Sequence, residues 1–167
     1  GAKVLHPKTM IPAVEAGIPI FIKNTFNPNF KGTKIFTSSI ATSNRSRCVC
    51  GFATVDDIAL LNLEGSGMIG VPGVAQRLFE SLHRMNISVI LISQASSEYS
   101  ISIAIEAKYS EKALNGVRDA FFRELQSKYI SSIECVSPCC IVAAVGDGMS
   151  KTAGVAGKFF SALGTAG

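Results

Sequence analysis

The stretch Gly65-Ser66-Gly67-Met68-Ile69-Gly70 has the spacing G-x-G-x-x-G, between an apolar run and a helical pattern. Glycines at such a junction let a ligand approach the backbone, and N–H groups at a helix start face negative charge. Three roles fit: a cradle for a dinucleotide pyrophosphate, a seat for a small carboxylate, or a tight structural turn. Two features weigh against the dinucleotide. The next strand ends at Gln94, where a ribose-binding fingerprint needs an acid. The short turn from Gln94 to Glu98 then leads straight into another strand, too brief for a parallel crossover.

Gln94, Ser96, Ser97 and Glu98 form a second polar group, directly after an apolar run. The Gln94 amide offers both a donor and an acceptor to the polar atoms of an amino acid. A solvated hairpin turn fits the same residues. No nucleophile–base set stands out: the two histidines are His6 and His83, the latter beside Arg84 on a helical pattern, and the acids are scattered. Catalysis within this chain is not expected. Five cysteines, an odd number with no C-x-x-C spacing, predict reduced thiols and neither a disulfide framework nor a metal site.

Composition narrows the classes further. Hydrophobic residues make up 47% and charged ones 17%, which describes a folded, core-rich chain. The net charge of +4 is spread out, without the basic and aromatic interleaving of a nucleic-acid surface. No apolar run approaches the roughly 18 residues of a membrane span. No basic-then-apolar leader pattern is present, so a cytoplasmic location is the expectation.

The elements that must position these groups follow from periodicity. A helical stretch near Lys3 to Val14 is interrupted by Pro7 and Pro12, and Ile18 to Ile22 reads as a strand. Asn24 to Thr33 is loop chemistry and Ser38 to Ser46 a polar linker. Val49 to Thr54 and Ile58 to Leu63 read as two strands split by a turn at Val55-Asp56-Asp57. Pro72 suits the first turn of a helix running to about Met85, with Val74, Leu78, Leu82 and Met85 facing inward. Ile87 to Ser93 and Tyr99 to Ala107 are strands, the second alternating Ile101, Ile103 and Ile105 against Ser100 and Ser102. Ser110-Glu111 opens a second helix with Leu114, Val117, Phe121 and Leu125 inside, and Ile130 to Val136 closes the set. The order β-α-β-β-α-β is a ferredoxin-like α+β unit.

An offset of 81 residues superimposes Gly65–Leu82 on Gly146–Leu163, with Gly67/Gly148, Met68/Met149, Gly73/Gly154 and Phe79/Phe160 among the identities. A second unit therefore begins near Cys139 and runs through its first helix, and we expect it to be truncated. The expected organisation is a domain edge and linker over 1–45, a first unit over 46–138, and a truncated second unit over 139–167. The strand at 49–54 is spare in the first unit and a candidate for the second.

Together these residues resemble a family. Gly1-Ala2-Lys3-Val4-Leu5-His6-Pro7 and Ile18-Pro19-Ile20 resemble the end of an aspartate kinase catalytic domain. Asn24-Thr25 with Gly32-Thr33 resembles the segment after it, and the remainder resembles paired ACT domains, small β-α-β-β-α-β modules that bind amino acids. Ile92-Ser93-Gln94-Ala95-Ser96-Ser97-Glu98-Tyr99-Ser100 and Gly146-Asp147-Gly148-Met149 are most similar to the threonine-sensitive bifunctional aspartate kinase–homoserine dehydrogenases. The resemblance implies a parent enzyme that phosphorylates the aspartate side chain with ATP and Mg, using NAD(P) as well if bifunctional. This chain would be its regulatory, non-catalytic part and need no cofactor. It places effector binding on Met68, Ile69, Gly70, Val71 and Gln94, and a nucleotide-site remnant on Lys3 and Val4. In lysine-sensing relatives an aspartate holds the lysine ammonium where this chain has Ile90, so threonine is the preferred effector, ahead of leucine, methionine or no ligand. Edge-to-edge pairing of ACT modules implies a homodimer, with neither nucleic acid nor membrane as partner. A ligand-free dimerisation module and a dinucleotide-binding fragment are the alternatives.

Overall fold

A computed structural model of the chain describes residues 4–36, 48–94, 96, 98–146 and 148–167. The expected linker at Ser38 to Ser46 lies outside them. The chain divides into two compact units, one of 52–144 and one joining 1–51 to 145–167.

In the first of these units, β3 (Gly51–Glu64), β4 (Leu91–Gln94), β5 (Ser100–Glu106) and β6 (Ser132–Val145) make a sheet of order β4-β5-β3-β6. β5 runs antiparallel to β3, pairing Ile58 with Glu106 and Glu64 with Ser100, and antiparallel to β4, pairing Leu91 with Ala104. Period-2 alternation puts Ala59, Leu61 and Leu63 of β3 and Ile101, Ile103 and Ile105 of β5 on one buried face. Helices α2 (Val74–Arg84) and α3 (Ser110–Ala120) cover it with Leu78, Leu82, Ala113 and Val117. This is the expected ferredoxin-like α+β arrangement, and the helical stripes face inward as their spacing requires.

Several boundaries differ from the sequence reading. β3 is one continuous strand of 14 residues, not two. Asp57 adopts φ 56° without ending it, a conformation Asp tolerates better than most residues. β6 is likewise one strand of 14 residues, joining the expected closing strand to the run from Cys140 to Val145. Pro138 sits inside β6, which lies at the edge of the sheet, the kind of strand in which proline is tolerated. α2 begins at Val74 with Gly73 as N-cap, so Pro72 precedes the helix. β4 starts later than expected, after Asn86 at φ 57°. The second helix begins at Ser110, whose side chain is not the cap, and it breaks at Phe121 (φ −112°, ψ 22°) before α4 (Phe122–Gln126). Arg77 of α2 locks this break. Its guanidinium pairs with Glu124, lies 4.5 Å from the Phe121 ring centroid and donates to the Ala120 carbonyl at 2.7 Å. That carbonyl is one of those left open at a helix end.

In the other unit α1 (Pro7–Glu15) is a single helix, with Pro7 in its first turn and the His6 imidazole accepting from Lys8 N–H at 3.2 Å. Pro7 opens the helix, and Pro12 sits inside it. β1 (Ile20–Ile22) pairs antiparallel with β2 (Thr33–Ile35), a short strand that begins where the expected loop ends. A turn over Met149–Lys151 leads into α5 (Val155–Ala166).

The 81-residue offset survives in the backbone. It carries β3 onto β6 end to end. It also carries the bond from Cys50 N–H to Val145 O (2.8 Å) onto that from Ser131 N–H to Glu64 O (2.7 Å). Gly73 (φ 90°, ψ −3°) and Gly154 (φ 82°, ψ −1°) cap their helices in the same left-handed conformation. The loops before them differ: Gly70 has φ 68°, while Lys151 at the matching position ends a 3-10 turn.

Candidate functional site

The site forms where β3 ends, α2 begins and β4 turns toward β5. After Glu64 the chain enters a 3-10 turn, Ser66–Met68; Gly67 N–H crosses to Tyr129 O at 3.0 Å, while the amides of the loop Met68–Val71 are largely spent locally. Met68 N–H bonds to Gly65 O at 3.1 Å, Ile69 N–H to Ser66 O at 3.4 Å and Val71 N–H to Met68 O at 3.1 Å. Gly70 is the exception: its N–H reaches across to Glu98 Oε2 at 2.8 Å. The positive φ of Gly70 turns that amide out of the loop at no steric cost. Met68, 3% exposed, pins the loop into the core.

Above this loop lies a cavity of about 130 Å³. Met68, Val71 and Gly73 come from the loop, Val74 and Ala75 from the first turn of α2, and Gln94, Glu98 and Ile101 from the β4–β5 hairpin. Its chemistry is that of a small polar organic molecule. One carboxylate and one side-chain amide face a helix start, whose N–H groups carry partial positive charge. A cavity this size is well below the roughly 300–1,000 Å³ of a drug-sized pocket.

Of the residues singled out from sequence, Met68, Val71 and Gln94 meet in this cavity. Gly70 is not in the lining, but its N–H holds Glu98, which is; Ile69, 54% exposed, also stays outside the lining. Ile90 also lies outside it, its N–H bonded to Ala104 O at 2.8 Å. Lys3 falls outside the described residues. Val4 belongs to the other unit and is exposed. Sequence reasoning missed Gly73, Val74, Ala75 and Ile101, which read as helix start, core stripe and buried strand face, and Glu98, which read as part of a polar turn. The signal for Glu98 was its place in the polar group after Gln94.

The dinucleotide reading fails on two counts. The strands on either side of α2 do not form a parallel β-α-β crevice: β3 and β4 both run antiparallel to β5, which lies between them. Gly65 and Gly67 are small for an internal reason. A Cβ on Gly65 would lie 2.6 Å from Ile130 Cα, and one on Gly67 2.8 Å from Tyr129 Cα. The glycines let this chain pass itself, not a pyrophosphate.

The family model for the ACT domain matches residues 61–121, a span holding every residue of the cavity. Over 166 residues the chain is 42% identical to bifunctional aspartokinase/homoserine dehydrogenase 1, chloroplastic, of Arabidopsis thaliana, covering 98% of this chain. It superimposes on the crystal structure of Clostridium acetobutylicum aspartate kinase with a TM-score of 0.81 over 97% of its length, at 28% identity. The chain carries an ACT domain and resembles the regulatory regions of aspartate kinases. It also matches E. coli aspartokinase III, solved in complex with lysine and aspartate, with a TM-score of 0.66, 30% identity and 98% coverage. The chain spans 18% of the Arabidopsis relative and 36% and 34% of the two solved kinases. No helix among the described residues of this ACT region is long and apolar enough to cross a membrane.

Proposed function

We propose that this ACT region senses a small amino acid, threonine in preference to others, for an aspartate kinase of which it is the regulatory part. The carrying observation is the cavity that joins the Gln94 amide to the left-handed start of α2. The likeness to a kinase solved with lysine supports an amino acid as the ligand class. The family resemblance, which puts Ile90 where lysine sensors carry an acid, supports an uncharged effector; Ile90 itself lies outside the cavity lining. The amino acid sits with its polar atoms between Gln94 and the loop Met68–Val71.

The longer protein phosphorylates the side-chain carboxylate of aspartate with ATP and Mg, with NAD(P) serving a dehydrogenase part. Its location is the cytoplasm or, as the name of the Arabidopsis relative suggests, a plastid. Two copies pair through β4, which has a strand neighbour on one side only and carries exposed Leu91 and Ile92. Edge pairing covers its open backbone groups and gives two-fold symmetry. Threonine shifts the enzyme by as much as its affinity differs between two packings, typically about 1–3 kcal/mol.

Isothermal calorimetry with L-threonine tests the site. Gln94→Ala loses about one neutral hydrogen bond, or two- to tenfold in affinity. Unchanged affinity removes Gln94 from the site. Sedimentation with and without threonine tests the pairing, and a monomer under both conditions contradicts it.

A further inference from the structure

The loop Met68–Val71 has one amide that is not consumed by the loop itself, and that amide already holds a carboxylate. Met68, Ile69 and Val71 donate to Gly65, Ser66 and Met68, whereas Gly70 N–H donates to Glu98 Oε2 at 2.8 Å. Glu98 lines the same cavity as Gln94. It also adopts φ 55°, a left-handed conformation that non-glycine residues enter at a cost. An exposed glutamate held in that backbone shape, with its carboxylate turned onto the loop, does what the carboxylate of a free amino acid would do there.

We infer that Glu98 is an internal competitor for the effector: its side chain occupies the Gly70 amide when the cavity is empty and must leave when an amino-acid carboxylate binds. This rests on the reading of the cavity as an amino-acid site. Glu98 would then set the sensor's threshold. The amide can serve one carboxylate at a time, and two carboxylates at one N–H repel each other. Affinity is therefore reduced by the fraction of molecules in which Glu98 holds the loop. The opposite role, with Glu98 holding the ligand's ammonium, predicts the opposite sign on removal.

Calorimetry on the 167-residue chain with two probes separates these roles. L-threonine carries the carboxylate, and L-threoninol keeps the amine and side chain but replaces the carboxylate by an alcohol. Glu98→Ala tightens L-threonine by about three- to tenfold, the worth of one exposed charge-assisted bond, and leaves L-threoninol unchanged. Glu98→Gln, which still accepts from Gly70 N–H but carries no charge, falls between. Weaker or unchanged L-threonine binding in Glu98→Ala overturns the competitor role. Weaker binding of both probes assigns Glu98 to the ammonium instead. If neither the wild type nor Glu98→Ala binds L-threonine, the site itself is wrong and the inference goes with it. If only Glu98→Ala binds, the competitor role stands in its strongest form.

Discussion

Replacing Gly65 by alanine adds one methyl group where the chain leaving β3 passes the backbone of Tyr129–Ser131. Gly65 has φ 171°, extended backbone that any residue adopts, so the substitution carries no conformational penalty of its own. The methyl group would overlap the Tyr129 carbonyl oxygen and come within 2.6 Å of Ile130 Cα and 3.1 Å of Ser131 N. All three are backbone atoms, and they cannot swing away as a side chain would. Relief requires the segment entering β6 to move off β3. That breaks the bonds from Ser131 N–H to Glu64 O (2.7 Å) and from Gly67 N–H to Tyr129 O (3.0 Å). Two such bonds contribute about 1 kcal/mol each, and overpacking adds about 1–3 kcal/mol. The expected loss is about 3–5 kcal/mol, a large share of the roughly 5–15 kcal/mol that holds a domain together. Gly116→Ala is the control. Its methyl group meets only the end of the Met85 side chain, a flexible thioether that can move. Alanine also favours the helix by about 1 kcal/mol, so stability should stay within about 1 kcal/mol of wild type. Urea denaturation followed by circular dichroism reads both. A loss under 1 kcal/mol for Gly65→Ala refutes the reasoning, as does equal damage from the two variants.

Three further expectations follow from the same geometry. Arg77→Met removes the pair with Glu124 and the bond to Ala120 O. Because the Arg77 side chain is 45% exposed, the pair is screened and the loss at neutral pH is about 1 kcal/mol, read as a shift in the urea midpoint. The hydrogen bond from Arg77 holds the Glu124 carboxyl below its ordinary value of 4.5. A depressed folded-state value contributes stability above the unfolded value and loses it as pH falls through the folded one. Wild type should therefore lose this contribution below about pH 4.5, and the difference from Arg77→Met should shrink there; a constant difference down to pH 2 contradicts the assignment. Gly73→Ala forces a residue with a Cβ to φ 90° in open space, so it costs about 1–2 kcal/mol through conformation alone. It should also weaken threonine binding by loosening the start of α2, and calorimetry on the folded variant checks this.

What the sequence made legible was whatever a period could carry. Ile101, Ile103 and Ile105 announce the buried face of β5, and Leu78 and Leu82 that of α2, because burial repeats every second residue in a strand and about every fourth in a helix. The repeat was legible through identity, and the matching left-handed caps at Gly73 and Gly154 give it a backbone reason. Strand ends were not legible. Asp56-Asp57 and Pro138 are turn signals locally, yet Asp57 takes a left-handed φ inside β3 and Pro138 lies on an edge strand, so tertiary pairing overrides both. The break at Phe121 is set by Arg77 reaching over from another helix, which no local window contains. The site was legible in part. Gln94 stood out as a polar residue closing an apolar run. The bond between Gly70 and Glu98 joins residues 28 apart in sequence and depends on the β4–β5 hairpin folding back over the loop.

The central claim is that a free amino acid occupies the cavity between the Met68–Val71 loop and Gln94. A titration of the ¹⁵N-labelled chain with L-threonine, followed by amide NMR, addresses it directly. Saturable shifts are expected at the Gly70 backbone amide and the Gln94 side-chain amide, with residues of β1 and β2 unmoved. Saturable shifts confined to other residues, or none at threonine concentrations of several millimolar, would contradict it.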